Sequence, residues 1–295
     1  MIRYAITQAE LESRIDLESA TWRTRAKARA KDIDVAKSYN EKEGIWSEIK
    51  NVYRRLQNQK CAFCERWLAG EPYGAIEHDV EHFRPKKATK KWASKSVPHT
   101  WHTAGRPSGY YWLAYDLLNY ASSCKVCNTP LKGNDFPIAG ASGKELDNIG
   151  ELNKIEKPLL IYPISDIDED PEKLIQFDGI LAVEVNIDKA SYGHRRAAVT
   201  IEFFALNERD ELHRDRAITI KNVWEALEKI HGPGSSHEQK QRGKKDLDRF
   251  KEGGHAHASC ARSFEHLFNK DPKAARHHYD AACKTYDDRV LGKST

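Results

Sequence analysis

The sequence predicts an α+β fold that is mainly α-helical, and three observations lead to this prediction. Residues 8–60 place Ala, Leu, Ile and Trp at helical spacing among Lys, Arg and Glu, and helical spacing returns after residue 195. Two short segments with β-branched and turn character, near 75–83 and 174–185, predict strands. Two Cys-x-x-Cys pairs, far apart in the sequence, indicate a metal site that ties distant segments together.

The composition is that of a globular protein with a substantial core. Hydrophobic residues make up 39 % of the 295 residues and charged residues 31 %, and there are 7 Trp. No apolar run reaches the roughly eighteen residues of a membrane span, and the opening MIRYAITQAELESR lacks the apolar centre of a secretory signal. We therefore expect a cytoplasmic protein with no membrane partner, whose thiols stay reduced.

The N-terminal part, residues 1–44, is predicted to be a helical region interrupted at Gly44. An apolar stripe at helical spacing then leads into the first Cys pair and consists of Ile45, Ile49, Val52 and Leu56. We interpret this stripe as the packing face of a helix that supports the metal site.

The middle of the chain alternates irregular and apolar text. Residues 68–109 are rich in Gly, Pro and Ser and are predicted to be irregular apart from the strand near 75–83. Residues 110–120 are aromatic and apolar, which predicts a buried segment returning to the second Cys pair. Residues 124–135 predict a turn that leads into a short helix.

The C-terminal part, residues 141–295, is predicted to be mostly helical. Residues 195–207 and 211–230 each predict a helix, and the last fifty or so residues are helical in character again. The polar, Gly-containing segment 231–245 is interpreted as a connector.

Charge is distributed unevenly, although the formal net charge is only +4. A lysine run free of acidic residues contains Lys86, Lys87, Lys90, Lys91 and Lys95, and acidic residues gather at 165–172. Such a run is commonly a solvated surface, but this one adjoins the residues that carry chemistry, which favours phosphate contacts.

The two thiol pairs predict a structural zinc site. They consist of Cys61, Cys64, Cys124 and Cys127. Four thiolates complete a tetrahedral shell that favours Zn²⁺ and leaves no open position for catalysis. The competing interpretation, a thiol redox pair, would usually be accompanied by a thioredoxin-like βαβ pattern, which this sequence does not show.

Between the thiol pairs lies EHDVEHFRPKK, which contains two Glu-His dipeptides. The second, Glu81-His82, is followed by Phe-Arg-Pro and gives the pattern Glu-His-x-x-Pro. Asn119 precedes the second Cys pair, and Asn128 directly follows Cys127. Each feature alone is ordinary, but this ordered set is far rarer by chance than any of its members.

Taken together, CAFCE, VEHFRPK, YYWLAYDLLNYASSCKVCN and KGNDFPI resemble the HNH nucleases of the ββα-metal fold, in their zinc-stapled form. More narrowly, these segments resemble the HNH proteins of bacterial anti-phage systems, including the nuclease subunit of Septu systems and its retron-associated relatives. The resemblance is strong over 45–138 and weaker to about residue 220. It implies a ββα-metal HNH core over 45–140, surrounded by N-terminal and C-terminal helices.

The resemblance also implies roles for individual residues. His82 matches the general base that activates water, and Glu81 matches the acidic ligand of a catalytic Mg²⁺ or Mn²⁺, where Asp is commoner. Asn128 matches the residue that completes this metal site. Asn119 matches the residue that holds the loop and orients the base. The added His78-Asp79 leaves open whether either residue also reaches the ion.

Basic residues near these motifs are candidates for sequence-independent contacts with a nucleic-acid backbone. They are Arg84, Lys86, Lys87 and Lys132. The favoured prediction is therefore a DNA endonuclease that acts in phage defence. The resembling systems pair the nuclease with an ATPase subunit, which residues 155–295 are expected to bind. The alternatives are a zinc-stapled protein that binds nucleic acid or a partner without cutting, and a thiol redox protein.

Overall fold

The computed structural model describes residues 1–70, 73–103 and 106–290. Its helices are α1 (Gln8–Glu18), α2 (Trp22–Ala36), α3 (Lys50–Leu56), α4 (Ile149–Glu156), α5 (Tyr192–Phe203), α6 (Asp210–His231), α7 (His237–Lys251), α8 (Ala258–Lys270) and α9 (Pro272–Val290). Its strands are β1 (His78–His82), β2 (Tyr120–Cys124), β3 (Ile175–Asp178) and β4 (Leu181–Glu184). The prediction of a mainly α-helical fold with some β structure is confirmed. The division at residues 44 and 140 stays a prediction.

The central feature for function is the antiparallel pair of β1 and β2. Its register places His78 opposite Cys124 and His82 opposite Tyr120. A short helical segment with wide, π-type turns, Cys127–Lys132, follows β2 and contains Pro130. Because a π-type turn holds an extra residue and such turns are frequent at functional sites, this segment marks the neighbourhood of β1 and β2 for inspection.

A buried glutamine fixes α3 and the first Cys pair against β2. The Gln57 side chain donates to the carbonyls of Lys60 and Ser122 at 3.1 and 2.9 Å and accepts from the Ser122 amide at 2.7 Å. The apolar stripe predicted before Cys61 packs as expected, with Ile49 and Val52 fully buried. Since backbone groups buried without partners are costly, this one side chain holds three segments in register.

The aromatic segment 110–120 leads into β2, and its tyrosines are buried as predicted. Tyr110, Tyr111 and Tyr120 are at most 1 % exposed. The Tyr162 hydroxyl donates to the Tyr120 carbonyl at 2.7 Å, which ties the segment to the chain beyond the second Cys pair. Buried aromatic side chains therefore pack next to β2.

The predicted connector 231–245 is wrong in extent, because α7 already begins at His237. Ser236 caps this helix through its side chain, and the Ser236 amide donates to Gln239 Oε1 at 2.7 Å. Gly243 lies inside α7, where an added Cβ would come within 2.7 Å of the Ala226 carbonyl oxygen of α6. The glycine therefore permits close helix packing rather than marking a linker.

The long helix α6 organises the C-terminal region, where it packs against α7, α8 and α9. Its buried face includes Leu212, Ile220, Val223 and Leu227. Among the described helices, none is both long enough and apolar enough to cross a membrane.

Candidate functional site

The four cysteines of the two thiol pairs form one buried cage. Their sulfur atoms all lie within 4.8 Å of one another, and no cysteine of the cage is more than 4 % exposed. The Cys64 and Cys124 sulfurs are 3.9 Å apart. A tetrahedral zinc with Zn–S bonds of about 2.3 Å would place its sulfurs about 3.8 Å apart, so the cage could hold one zinc ion.

The cage also has the hydrogen-bond donors that thiolates need. The Cys124 amide donates to the Cys61 sulfur at 3.4 Å, and the Cys127 amide donates to the Cys124 sulfur at 3.5 Å. Burial raises the pKa of the Cys64 and Cys127 thiols, so a full set of thiolates requires a cation in the cage.

One contributor to the cage was missed from the sequence. The Arg209 guanidinium donates to the Cys127 sulfur at 3.2 Å, and its Nε is 2.9 Å from Glu211. Arg209 lies just before α6 and far from the cysteines along the chain, so no local spacing pointed to it. This contact connects the C-terminal helices to the residue that precedes Asn128.

Beside β1 lies a cavity of about 390 Å³. Its polar lining includes Asp79, Glu81, His82, Lys86, Asn128 and Asn134. Three residues predicted for one metal-dependent site, Glu81, His82 and Asn128, therefore meet at a single cavity. Strand β1 supplies the first two, and the turn after Cys127 supplies the third.

His82 is held in one orientation and in one tautomer. Its Nε2 lies 3.1 Å from the Ala114 carbonyl oxygen, which can only accept, so Nε2 carries the proton and Nδ1 has the lone pair. The ring packs edge-on against Trp46 and Tyr120, with centroids 4.7 and 4.9 Å away. Burial, assisted by the Lys86 and Lys132 charges, keeps the pKa of His82 well below its usual value, so the imidazole is neutral near pH 7.

Glu81 is buried and paired with Lys132. The Lys132 ammonium lies 2.8 Å from Glu81 Oε1 and donates to the His82 carbonyl at 3.1 Å. Burial raises the pKa of the Glu81 carboxyl, and Lys132 opposes that shift. Lys132 is only 1 % exposed and its ammonium is engaged by Glu81, and its predicted contact with a nucleic-acid backbone stays a prediction. In this structure Lys132 fixes the Glu81-His82 dipeptide.

Arg84 is likewise unavailable at the surface. It is fully buried, with Nε 3.2 Å from the Glu156 carboxylate and Nη2 2.9 Å from Asn153 Oδ1. Its guanidinium also lies 5.1 Å from the centre of the Phe136 ring. The predicted phosphate contact of Arg84 also stays a prediction, and in this structure the side chain joins the loop after β1 to α4.

Asn119 does not line the cavity, and its side chain joins the backbone at Arg84 to the backbone at Leu113. Its Oδ1 accepts from the Arg84 amide at 2.8 Å, and its Nδ2 donates to the carbonyls of Arg84 and Leu113 at 3.0 and 3.1 Å. Leu113 precedes the Ala114 carbonyl that orients His82. The placement is compatible with a role in holding the base, which stays a prediction.

Of the two residues upstream of Glu81, only Asp79 lines the cavity. Its carboxylate is paired with the Lys125 ammonium near the protein surface. His78 is fully buried opposite Cys124 in the strand pair. Asp79 therefore faces the cavity that would hold an ion, whereas His78 is buried in the core.

The two remaining basic candidates differ in their surroundings. Lys86 lines the cavity and is half-buried, with its ammonium 4.3 Å from the Trp46 ring centre and 5.4 Å from that of Tyr39. Burial lowers the pKa of Lys86 to about 8. Lys87 is exposed, 5.9 Å from the Tyr39 ring centre. The aromatic wall was missed, because nothing in the sequence places residues 39 and 46 beside β1.

Comparison with curated proteins shows similarity to a protein of the Septu type. The Septu protein PtuB of Bacillus mycoides (strain KBAB4) is 30 % identical to this chain over 175 residues, which is 59 % of this chain and 52 % of PtuB. The chain therefore spans about half the length of this curated relative. No protein-family model matches the chain. No solved structure matches it either.

Proposed function

We propose that this protein is a metal-dependent HNH endonuclease that hydrolyses DNA in a bacterial anti-phage defence system of the Septu type. The observation that carries the proposal is the cavity where Glu81, His82 and Asn128 meet, built on two strands and a helical turn beside a four-sulfur cage. The similarity to the Septu protein PtuB supports the assignment to defence.

In this proposal the zinc is structural. Cys61, Cys64, Cys124 and Cys127 hold it, and four thiolates leave no position for water or substrate. The cage fixes Cys127 and thereby the adjacent Asn128. Its contribution to hydrolysis is to position a ligand of the second site.

Glu81 and Asn128 are proposed to hold the catalytic Mg²⁺ or Mn²⁺, with Asp79 near enough to add an oxygen. The donors fit a hard cation, because all are carboxylate or amide oxygens. Lys132 contacts one oxygen of Glu81, which leaves the other oxygen for an ion. When bound, such an ion stabilises negative charge on the phosphate and on the departing oxygen.

His82 is proposed to act as the general base through Nδ1. The Ala114 carbonyl fixes the proton on Nε2, so Nδ1 can take a proton from water. The water oxygen then bonds to phosphorus as one phosphorus–oxygen ester bond breaks, and the departing sugar oxygen gains a proton from solvent. Because the imidazole is neutral near pH 7, it is ready to accept the proton without prior deprotonation.

The proposal is tested by incubating the purified protein with plasmid DNA and Mg²⁺, beside the His82→Ala variant. We expect the variant to lose about 10²- to 10⁴-fold in cleavage rate, the usual contribution of a general base, while keeping its zinc content and melting temperature. Near-normal cleavage by a folded His82→Ala protein would remove His82 from this role. Repeating the assay with RNA and single-stranded DNA defines the substrate.

A second candidate function is nucleic-acid or partner binding without cleavage. The Glu81–Lys132 ion pair favours it, since one oxygen of the proposed ligand is already engaged by an internal cation. The same plasmid assay separates the two, because a binder would retard DNA in a gel without cutting it in Mg²⁺ or Mn²⁺.

The nuclease is further proposed to work in the cytoplasm with an ATPase subunit that binds residues 155–295. The resemblance to Septu systems supports this partner, and the Arg209–Cys127 contact offers a physical connection from α6 to the cage. Purification from the native host should yield a complex that contains an ATPase. A protein that purifies from the native host with no ATPase would contradict this part of the proposal.

A further inference from the structure

Lys86, which lines the cavity, and Lys132 both lie close to the Glu81-His82 dipeptide, and their charges are used differently. Lys132 is buried, and the Glu81 carboxylate neutralises it at 2.8 Å. Lys86 forms no ion pair with any carboxylate in the described part of the chain. Aromatic faces hold its ammonium instead, at 4.3 Å from the Trp46 ring centre and 5.4 Å from that of Tyr39. A cation held by aromatic rings keeps its charge available for an anion.

The position of Lys86 bears directly on His82. The Lys86 ammonium lies 3.5 Å from Nδ1 of His82. Since Nε2 donates to the Ala114 carbonyl, Nδ1 is the acceptor, and Lys86 points a donor toward it. A nitrogen lone pair that is receiving this hydrogen bond cannot at the same time take a proton from water.

We propose that Lys86 is a phosphate-responsive latch, which covers Nδ1 of His82 in the DNA-free protein and moves to a non-bridging oxygen of the phosphodiester when DNA enters the cavity. This inference rests on the proposed nuclease function and names a substrate-contacting residue for it. Lys86 then has two roles: it limits water activation before DNA binds, and it stabilises the phosphate during the reaction.

The exchange of partners follows from the strengths of the two contacts. A charge-assisted bond from ammonium to a phosphate oxygen is stronger than one to a neutral ring nitrogen, so the substrate draws Lys86 away. The Lys86 side chain has a flexible four-carbon stem, and moving its ammonium breaks no ion pair in the described part of the chain. Trp46 and Tyr39 keep the ammonium at the cavity while it moves. Lys132 cannot do this, because its departure would strand the buried Glu81 charge.

The first test is steady-state cleavage of DNA in Mg²⁺ by Lys86→Met and Lys86→Gln, two neutral variants, so that the result does not depend on one of them folding. Lys31→Met is the matched control, because it removes an exposed lysine charge on α2, outside the cavity lining. We expect kcat to fall about 100-fold in the Lys86 variants, the usual cost of one lost phosphate donor, with a smaller change in KM. Lys31→Met should change either constant by no more than about threefold.

The second test observes the latch without cleavage, by ¹⁵N NMR of histidine in protein that contains zinc but no Mg²⁺. The His82 signal is assigned from its absence in His82→Gln. We expect Lys86→Met to move the Nδ1 resonance in the direction of a lost hydrogen bond. A short DNA duplex should move the wild-type resonance in the same direction and leave that of Lys86→Met where it is.

The outcomes separate the inference from the function on which it rests. If the wild type cuts DNA and the Lys86 variants cut like Lys31→Met, the latch is wrong and the nuclease stands. An Nδ1 resonance that is the same in wild type and Lys86→Met also overturns the latch. If the wild type cuts no better than His82→Ala, both the proposed function and the latch fall.

Discussion

The cage and the cavity both adjoin the pair of β1 and β2, through Cys124 on β2 and through Glu81 and His82 on β1, and they differ in donor type and accessibility. The cage has four soft sulfur donors, all buried and all within 4.8 Å of one another. The cavity has carboxylate, amide and imidazole groups around about 390 Å³ of open space. In the proposed function, ligand softness sorts zinc to the cage, which is closed to substrate, and a hard cation to the cavity, which is accessible. The comparison teaches that rigidity and reactivity are supplied by separate regions.

The register of β1 and β2 shows how one region supports the other. His78 lies opposite Cys124, and His82 lies opposite Tyr120, so the strand pair extends from a cage cysteine to His82. Cys127 is a cage residue, and the next residue, Asn128, lines the cavity. Disturbing the cage should therefore disturb the cavity, whereas changes confined to the cavity should leave the cage intact.

The largest effect is expected when the cage is broken. Cys124→Ser removes a thiolate ligand, and because zinc binding in such sites contributes folding free energy outright, the variant should lose its zinc and most of its stability. Zinc content and thermal unfolding measure this. Cys283→Ser is the control, since Cys283 lies outside the cage and should keep both. A Cys124→Ser protein as stable as the wild type would contradict a structural cage.

The next largest effect is expected at the buried ion pair beneath the cavity. Lys132→Met strands the Glu81 charge in the interior and should cost about 3 to 5 kcal/mol of unfolding free energy. Lys125→Met is the matched control, because Lys125 pairs with Asp79 near the surface and should cost at most about 1 kcal/mol. Urea denaturation measures both, and equal losses would show that Lys132 does not hold β1.

The two asparagines of the predicted site should separate stability from metal binding. Asn119→Ala removes the side-chain partner of the buried Arg84 amide and Arg84 carbonyl and one of the donors to the Leu113 carbonyl, and should cost about 1 to 3 kcal/mol. Asn128→Ala, at a half-buried cavity position, should change stability by only about 0.5 kcal/mol. It should instead weaken Mn²⁺ binding, measured by titration calorimetry. Tight Mn²⁺ binding by Asn128→Ala would exclude it as a ligand.

The smallest change is expected from mild acidification. A histidine of ordinary pKa is half protonated at about pH 6.5 and would lose half of its activity as a base there. Because the pKa of His82 lies well below that value, the imidazole stays neutral, and protonation begins only at lower pH. Cleavage rates measured at saturating Mg²⁺ should therefore be nearly equal at about pH 6.5 and 7.5. A halved rate at the lower pH would place the base in a more solvated site.

What the sequence predicted well was local. Cys-x-x-Cys spacing brings two sulfurs together independently of the rest of the fold. The helical spacing of Ile49 and Val52 likewise predicts which face of the helix is buried. What it missed was tertiary. Lys132 and Arg84 are residue types that usually lie at the surface. Only the fold shows that both are buried, where Lys132 pairs with Glu81 and Arg84 pairs with Glu156.

The same limit explains Arg209 and α7. No spacing rule relates Arg209 to Cys127, because their contact depends on how α6 docks on the cage. Gly243 sits in polar text typical of a connector, yet its missing side chain serves the contact between α6 and α7. Residue type predicted a connector there, whereas the packing of α7 against α6 places the glycine inside a helix.

The most direct measurement of the central claim is the location of the two metals in crystals grown with zinc and soaked in Mn²⁺. Anomalous scattering at the two absorption edges distinguishes the ions. The account predicts zinc among the four sulfurs of the cage and manganese bound by Glu81 and Asn128 in the cavity near His82. Manganese absent from the cavity at saturating concentration, or zinc outside the cage, would contradict it.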